Sequence, residues 1–245
     1  MGLRRLIKRR KKRHDADHMQ RMDTSHHGLD RDDKSTRQIM NLLNYTKRSI
    51  SAYAGTSYEA GYHSFRLNDM YLQGQRDPEQ RLAKTGYDFH GKSVLDIGCN
   101  QGGMLFPIAD IVSHGIGIDY DTRMINVANR IRSVQQSPNL DFYVFDMQLE
   151  RLEFIRDFLM DDTVDICFLL SVCLWLSNWR DVIEFARDVS NTLLFESNGN
   201  ARQQDEQIDF LHQTYTNVSM LSETSDDDAS RKDRKLLICS DHLAD

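Results

Sequence analysis

The stretch Lys92 to Asp121, KSVLDIGCNQGGMLFPIADIVSHGIGIDYD, constrains this chain more than any other. Val94, Leu95 and Ile97 make a short apolar run with β-branched content, and Gly98 opens a glycine-rich turn directly after it. Met104 to Val112 reads as a helix and Ile116 to Ile118 as a second β-branched strand. Strand, glycine turn, helix and strand form a βαβ unit, the opening half of a doubly wound sheet. The second strand ends at Asp119, 23 residues after Asp96. An acid about 20 positions beyond a glycine turn is where such folds hold a ribose hydroxyl, so the pattern points to a nucleoside-bearing ligand.

The turn itself narrows the ligand. A dinucleotide site uses G-x-G-x-x-G so that backbone N–H groups approach a pyrophosphate. Here the residues are Gly98, Cys99, Asn100, Gln101, Gly102 and Gly103, with Asn100 in place of the middle glycine. Asn is one of the few non-glycine residues that accepts positive φ, so the tight turn survives. Asp96, two residues before the turn, is awkward beside a pyrophosphate and suits a cationic ligand. The run resembles motif I of the class I S-adenosylmethionine-dependent methyltransferases, and Gly117-Ile118-Asp119 resembles their motif II. The resemblance implies S-adenosylmethionine as cofactor. Asp96 and the loop Gly98, Cys99, Asn100, Gly102 and Gly103 would hold its methionine end, and Asp119 its ribose, with Tyr120 stacking nearby. It also implies that Asp146, with Met147, reads the adenine, and it adds Ser171 to the cofactor set. A nicotinamide dehydrogenase is disfavoured by Asn100 and Asp96.

The rest of the chain extends the alternation. Thr122 to Gln135 is an amphipathic helix, Leu140 to Phe145 a third strand, and Leu149 to Met160 a further helix. Val164 to Leu170 is a continuous apolar fourth strand, as expected where helices cover both faces. Helices at Asn178 to Val189 and Ala201 to Tyr215 flank a fifth strand, Thr192 to Phe195. Val218 to Leu221 and Lys235 to Cys239 would close the sheet as an antiparallel pair joined by the acidic loop Ser225 to Asp233. The expected fold is α/β, a doubly wound (Rossmann-like) seven-stranded sheet, mostly parallel with an antiparallel last strand, with helices on both faces. Residues 91–245 would form this domain and residues 35–90 a helical lid that contributes to substrate binding. Within that lid, Asp77-Pro78-Glu79 reads as a helix start.

Charge is distributed unevenly. The net charge is −6, yet residues 1–13 carry eight Lys and Arg and no acid, leaving 23 bases against 37 acids in the remainder. Residues 1–34 read as a basic, disordered tail whose expected partner is a polyanion or an anionic membrane surface. A solvated tail with no dedicated partner is the other reading. No apolar run approaches a membrane span, and no hydrophobic signal segment opens the chain, so the expected location is cytoplasmic, with peripheral attachment to a membrane left open. Cys99, Cys167, Cys173 and Cys239 are scattered without C-x-x-C spacing and read as buried thiols, and no metal site is expected.

The segment 169–179, LLSVCLWLSNW, falls at the carboxyl end of the fourth strand, where such sheets bind ligands. It holds no titratable base. An enzyme that methylates a neutral hydroxyl needs one, and Glu196 or His63 would then serve. An acceptor oxygen that is already anionic needs cations instead, and Arg66, Arg76 and Arg81 precede the first strand. Gly-Cys-Asn in the turn, with Ser171 and Trp175, is similar to the RNA 5′-phosphate methyl-capping enzymes. The glycine motif, Leu-Ser-Val, the Leu-Phe-Glu strand and the closing strand pair also resemble bacterial polysaccharide-capping methyltransferases, but without the His pair those carry after Leu-Ser-Val. The resemblances imply methyl transfer to an oxygen, on a phosphate or sugar of a glycan or RNA end. A non-catalytic nucleoside- or RNA-binding adaptor on the same fold is the alternative.

Overall fold

A computed structural model describes residues 34–47, 58–67, 70–225 and 233–241. The basic run and the four histidines of residues 1–33, and most of the acidic loop 225–233, lie outside the described residues. The chain divides into Met1–Arg37 and Gln38–Asp245. Of the first unit residues 34–37 are described, and they are helical. All that follows concerns the second.

The sheet has seven strands: β5 (Ser93–Ile97), β6 (His114–Asp119), β7 (Leu140–Val144), β8 (Val164–Leu170), β9 (Ser190–Glu196), β10 (Asn217–Ser222) and β11 (Leu236–Ser240). Their order is β10-β11-β9-β8-β5-β6-β7. β5 pairs in parallel with β6 and β8, β6 with β7, and β8 with β9. The last strand, β11, slots between β9 and β10 and runs against both. The order turns back beside β5, so the crevice at the carboxyl ends of β5 and β8 is the place where this architecture receives a ligand.

Side-chain alternation along β5 divides the core in two. Leu95 and Ile97 pack on one side with Leu169, Phe195, Val182, Ile183 and Leu211. Val94 packs on the other with Ile125, Ala128, Ile166, Phe168 and Leu194. Helices α4 (Trp179–Val189) and α5 (Ala201–Thr214) cover the first face, and α3 (Thr122–Gln135) the second. Phe168 is fully buried between strand and helix, and truncating it to Ala would cost about 3–5 kcal/mol. The parallel order, the single reversed strand and both covered faces match the expected fold.

Two expected helices are not α-helical. Met104 to Val112 forms turns around a short 3₁₀ segment, Phe106–Ile108. Pro107 has no N–H to donate, and the bonds Leu105 N to Gly102 O, Ile108 N to Leu105 O and Ala109 N to Phe106 O all span three residues. Leu149 to Met160 likewise gives way to a 3₁₀ stretch over Leu152–Phe158.

The segment before β5, expected to be helical, has helices at its ends and strands between. Helix α1 (Lys34–Thr46) buries Ile39 and Leu43 against Phe65, Leu67, Val127 and Ile131. Then come β1 (Gly61–His63), parallel to β4 (Gly74–Arg76), and β2 (Phe65–Leu67), antiparallel to β3 (Met70–Leu72). Helix α2 (Pro78–Ala83) starts as expected: Asp77 caps it by accepting from Gln80 N, and Pro78 occupies its first turn.

Candidate functional site

At the carboxyl ends of the parallel strands lies a cleft of about 700 Å³, inside the roughly 300–1,000 Å³ usual for cofactor sites. Gly98, Asn100, Asp119, Tyr120, Asp146, Met147 and Ser171 line it, so seven of the eleven residues expected to hold cofactor share one surface. Gly98 leaves β5 at φ +78°, where an added Cβ would sit 2.6 Å from a Val172 methyl carbon, so no larger residue fits. Asn100 adopts φ 53°. Its N–H donates to Asp119 Oδ2 at 2.9 Å, while Oδ1 of the same carboxylate accepts from Asp121 N at 2.8 Å. Each oxygen keeps a further lone pair for a ligand hydroxyl. Burial pushes Asp119 up to about 6 in spite of those two amides.

The other four expected cofactor residues lie behind this surface. Asp96 is buried, with Oδ2 lacking a hydrogen-bond partner among the described residues. Burial pushes its carboxyl up to about 7, with Arg81 opposing and Asp119 adding to the rise. Cys99 turns into the core, where burial holds its thiol well above the usual range. Gly102 packs against Phe142. Gly103 packs against His63, whose Cβ would be 2.3 Å from any Cβ added there.

The opposite wall is built by residues far apart in sequence. Glu196, at the end of β9, accepts a hydrogen bond from Arg76 Nη2 at 2.5 Å, and Arg81 Nη2 forms an ion pair with the same oxygen at 2.9 Å. On the other, Ser171 Oγ donates a hydrogen bond and Arg234 Nη1 lies at 3.7 Å. Burial would raise this carboxyl, but Arg81, Arg76, the Ser171 hydroxyl and Arg234 outweigh it and hold it at about 2. His63 is buried beside the cluster and does not line the cleft. Burial, then Arg81 and Arg76, push its imidazole well below 6.5, so it is neutral. The four residues expected to act on the acceptor thus come together, as one buried cluster.

Sequence reasoning missed Arg234, Asn198 and Gln75, all of which line the cleft. Arg234 Nη1 lies 3.0 Å from Ser171 Oγ, and Asn198 Nδ2 donates to the Ser171 carbonyl at 2.5 Å. Ser171 itself is held at φ 60°, a strained setting for a non-glycine residue that places its hydroxyl at the cleft floor. Arg66 lies elsewhere. It pairs with Glu79 at 2.6 Å and faces a separate groove of about 480 Å³ beside Tyr71, Phe106 and Gln135.

The donor set discriminates among ligands. Around the glycine turn the cleft presents carboxylates, Asp119 and Asp146, with Asp96 beneath, and no Lys or Arg. Such a surface repels a pyrophosphate and suits ribose hydroxyls, an adenine amino group and a cationic ligand. Among the described residues no group of three or more His, Cys, Asp or Glu is placed to hold a metal ion, and no helix is long and apolar enough to cross a membrane.

Residues 94–194 match the family model of a methyltransferase domain. A 64-residue stretch is 41% identical to 235L of Invertebrate iridescent virus 6, named as a methyltransferase, covering 25% of this chain and 22% of the viral protein. WbdD, a bifunctional kinase-methyltransferase crystallised with a kinase inhibitor, superposes with a TM-score of 0.56 at 22% identity over 70% of this chain and 42% of WbdD. The N-terminal domain of EvdMO1, crystallised in the presence of SAH and D-fucose, gives a TM-score of 0.56 at 10% identity over 84% of this chain and 96% of that domain. The chain spans under a quarter of the viral protein and under half of WbdD, and at these identities the solved structures speak to fold. The family model lies over β5 to β9, the strands that carry the glycine turn, Asp119 and Asp146, so this part of the chain is similar to a methyltransferase domain, and the match, with the neighbour crystallised in the presence of SAH, supports S-adenosylmethionine as its cofactor.

Proposed function

We propose that the enzyme methylates an oxygen that is already anionic, a phosphate at the end of a glycan or RNA. One observation carries this reading: Glu196, the carboxylate nearest the acceptor side, is saturated by Arg76, Arg81 and Arg234 and held at about 2. A group that ionises so readily is a poor proton acceptor at neutral pH. His63 is neutral but buried against Gly103, away from the cleft lining. The remaining carboxylates of the lining, Asp119 and Asp146, stand at the cofactor end. A neutral hydroxyl would find no base in position, whereas a phosphate oxygen needs none.

When bound, S-adenosylmethionine would supply an electrophilic methyl group carried on a sulfonium, and an acceptor oxygen that is already anionic has no proton to lose in taking it. The chain's own residues supply position and charge. Gly98, Asn100, Asp119 and Asp146 would fix the cofactor, while the arginine-rich wall attracts the negative acceptor and Val172, Leu174 and Trp175 keep the intervening space apolar.

The test compares matched glycan or RNA ends with and without a terminal phosphate, across pH. Turnover is expected only with the phosphorylated ends, falling below about pH 6 as the phosphate takes up its second proton. Methylation of the dephosphorylated ends at comparable rate would refute the proposal.

A further inference from the structure

We infer that the last turn of helix α1 shapes the cofactor site from behind, through the buried amide of Gln101, so that Thr46 and Gln101 are positioning residues for S-adenosylmethionine. This rests on the cofactor reading above and extends it to a segment expected to serve the substrate. The argument starts from how the glycine turn is held. Its ends are tied by backbone bonds: Gly98 N and Cys99 N donate to the Ile118 carbonyl at 2.8 and 2.9 Å, and Gly102 N donates to Cys99 O at 2.9 Å. Its middle, Asn100 and Gln101, is held through side chains. Asn100 N donates to Asp119 Oδ2 at 2.9 Å, and Gln101 N donates to Asn100 Oδ1 at 2.9 Å. Gln101 Nε2 then donates to Thr46 Oγ1 at 2.7 Å. Thr46 is the last residue of α1, so one chain of hydrogen bonds runs from that helix to the carboxylate at the end of β6. Asn100 lines the cleft at φ 53°, a region that a non-glycine residue holds only with such support.

The direction of the Gln101 amide is fixed. Thr46 Oγ1 spends its one proton on the Leu43 carbonyl at 2.7 Å, so towards Gln101 it can only accept. Nε2 therefore faces the helix and Oε1 faces away, where it finds no partner among the described residues. Gln101 is 1% exposed and Thr46 2%. A buried oxygen without a donor lowers stability, and packing alone would be better served by an apolar side chain of the same length. What the amide does supply is a directed link between helix and turn.

The joint is closed from a third side. A Cβ added at Gly61, the first residue of β1, would lie 3.5 Å from Gln101 Nε2 and 3.7 Å from Lys47 Cγ. Gly61 is followed by Tyr62, which lines the cleft. The end of α1, the start of β1 and the glycine turn thus meet at one amide. The helix is a firm anchor, because Ile39 and Leu43 are fully buried against Phe65, Val127 and Ile131.

The experiment uses the full chain, with S-adenosylhomocysteine affinity read by calorimetry and stability by urea unfolding. Gln101→Met keeps the length of the side chain and removes both the bond and the unpartnered oxygen. It is expected to leave the urea midpoint near that of the wild type while weakening S-adenosylhomocysteine about tenfold. Thr46→Val should weaken binding to a similar degree, and Thr46→Ser, which keeps the hydroxyl, should stay within about twofold of the wild type. A bond of structural value only would lower the midpoint and leave the affinity of the folded chain as it was. A second measurement needs no variant. Coupling between two sites is reciprocal, so S-adenosylhomocysteine should slow hydrogen exchange of the Lys47 amide, which donates to Leu43 O at the end of α1. Unchanged affinity in Gln101→Met and Thr46→Val, a Thr46→Ser variant no better than Thr46→Val, or Lys47 exchange indifferent to the ligand overturns the inference. Failure of the wild-type chain to bind S-adenosylhomocysteine at all would instead overturn the cofactor reading on which it rests.

Discussion

The two walls of the cleft hold carboxylates of equal burial and opposite character. Asp96, beneath the glycine turn, is pushed up to about 7, while Glu196, under the acceptor side, is held at about 2. Burial penalises both anions, so the difference comes from neighbours. Glu196 has three guanidiniums and a hydroxyl around it. Asp96 has an unpartnered oxygen, one distant arginine and a second acid, Asp119. The glycine-turn wall thus keeps an acid with an unpartnered oxygen, a setting that suits a cation, while on the opposite wall arginines surround the acid and hold it ionised.

The sharpest way to break this contrast is to remove Glu196. Glu196→Ala would take from two buried guanidiniums the carboxylate they share, at a cost of about 3–5 kcal/mol in urea unfolding. A loss below about 1 kcal/mol would mean the cluster does not hold the lid segment to the sheet. On the other wall, Asp119→Ala removes the acceptor of two backbone amides and the carboxylate proposed to seat the ribose. Calorimetry with S-adenosylhomocysteine should show affinity reduced about tenfold or more, and unchanged affinity would place the ribose elsewhere.

The pH dependence of stability sharpens the comparison further. Asp96 rises from 3.8 to about 7 on folding, so its contribution is fully present below 3.8 and is lost as pH climbs towards 7. Glu196 falls from 4.5 to about 2, so its contribution is present above 4.5 and is lost as pH drops towards 2. Asp96→Asn should therefore flatten the decline in urea midpoint between pH 4 and 7, leaving the part owed to Asp119, and should leave the acid limb below 4.5 as it was. An unaltered slope between pH 4 and 7 would show that Asp96 ionises normally. Smallest of all is Arg66→Ala. That pair is 65% and 47% exposed, and its loss should change neither the urea midpoint nor turnover measurably.

The cofactor wall was legible because its parts are close in sequence. Gly98, Asn100 and Asp146 follow parallel strands and Asp119 ends one, and the alternation of apolar runs marks those strands plainly. Helix α2 was legible from Asp77 and Pro78 alone. The turns around Phe106–Ile108 were not, because an apolar spacing compatible with a helix outweighed Pro107 in the reading. The strands β1 to β4 were hidden by their length, three residues each, too short for any periodicity. The ion cluster was half legible: Glu196, Arg76 and Arg81 were recognised singly, but only the fold shows that they pair, and that Arg234 joins them. Arg234 left one usable signal. A strand that runs against the others begins at the end of the sheet where they finish, so the residues just before β11 had to stand at the mouth of the cleft.

That reversed strand has a consequence for how the protein is made. Until Leu236–Ser240 has left the ribosome, β9 and β10 have no partner between them, and the half-built sheet offers two open backbone edges to any passing chain. The carboxylate-lined end of the cleft, with Gly98, Asp119 and Asp146, is built by strands synthesised long before. A chain cut short before residue 234 would keep its glycine turn and Asp119 while lacking Arg234 and the strand that joins β10 to β9, so the sheet closes only after the carboxylate-lined end of the cleft has been made.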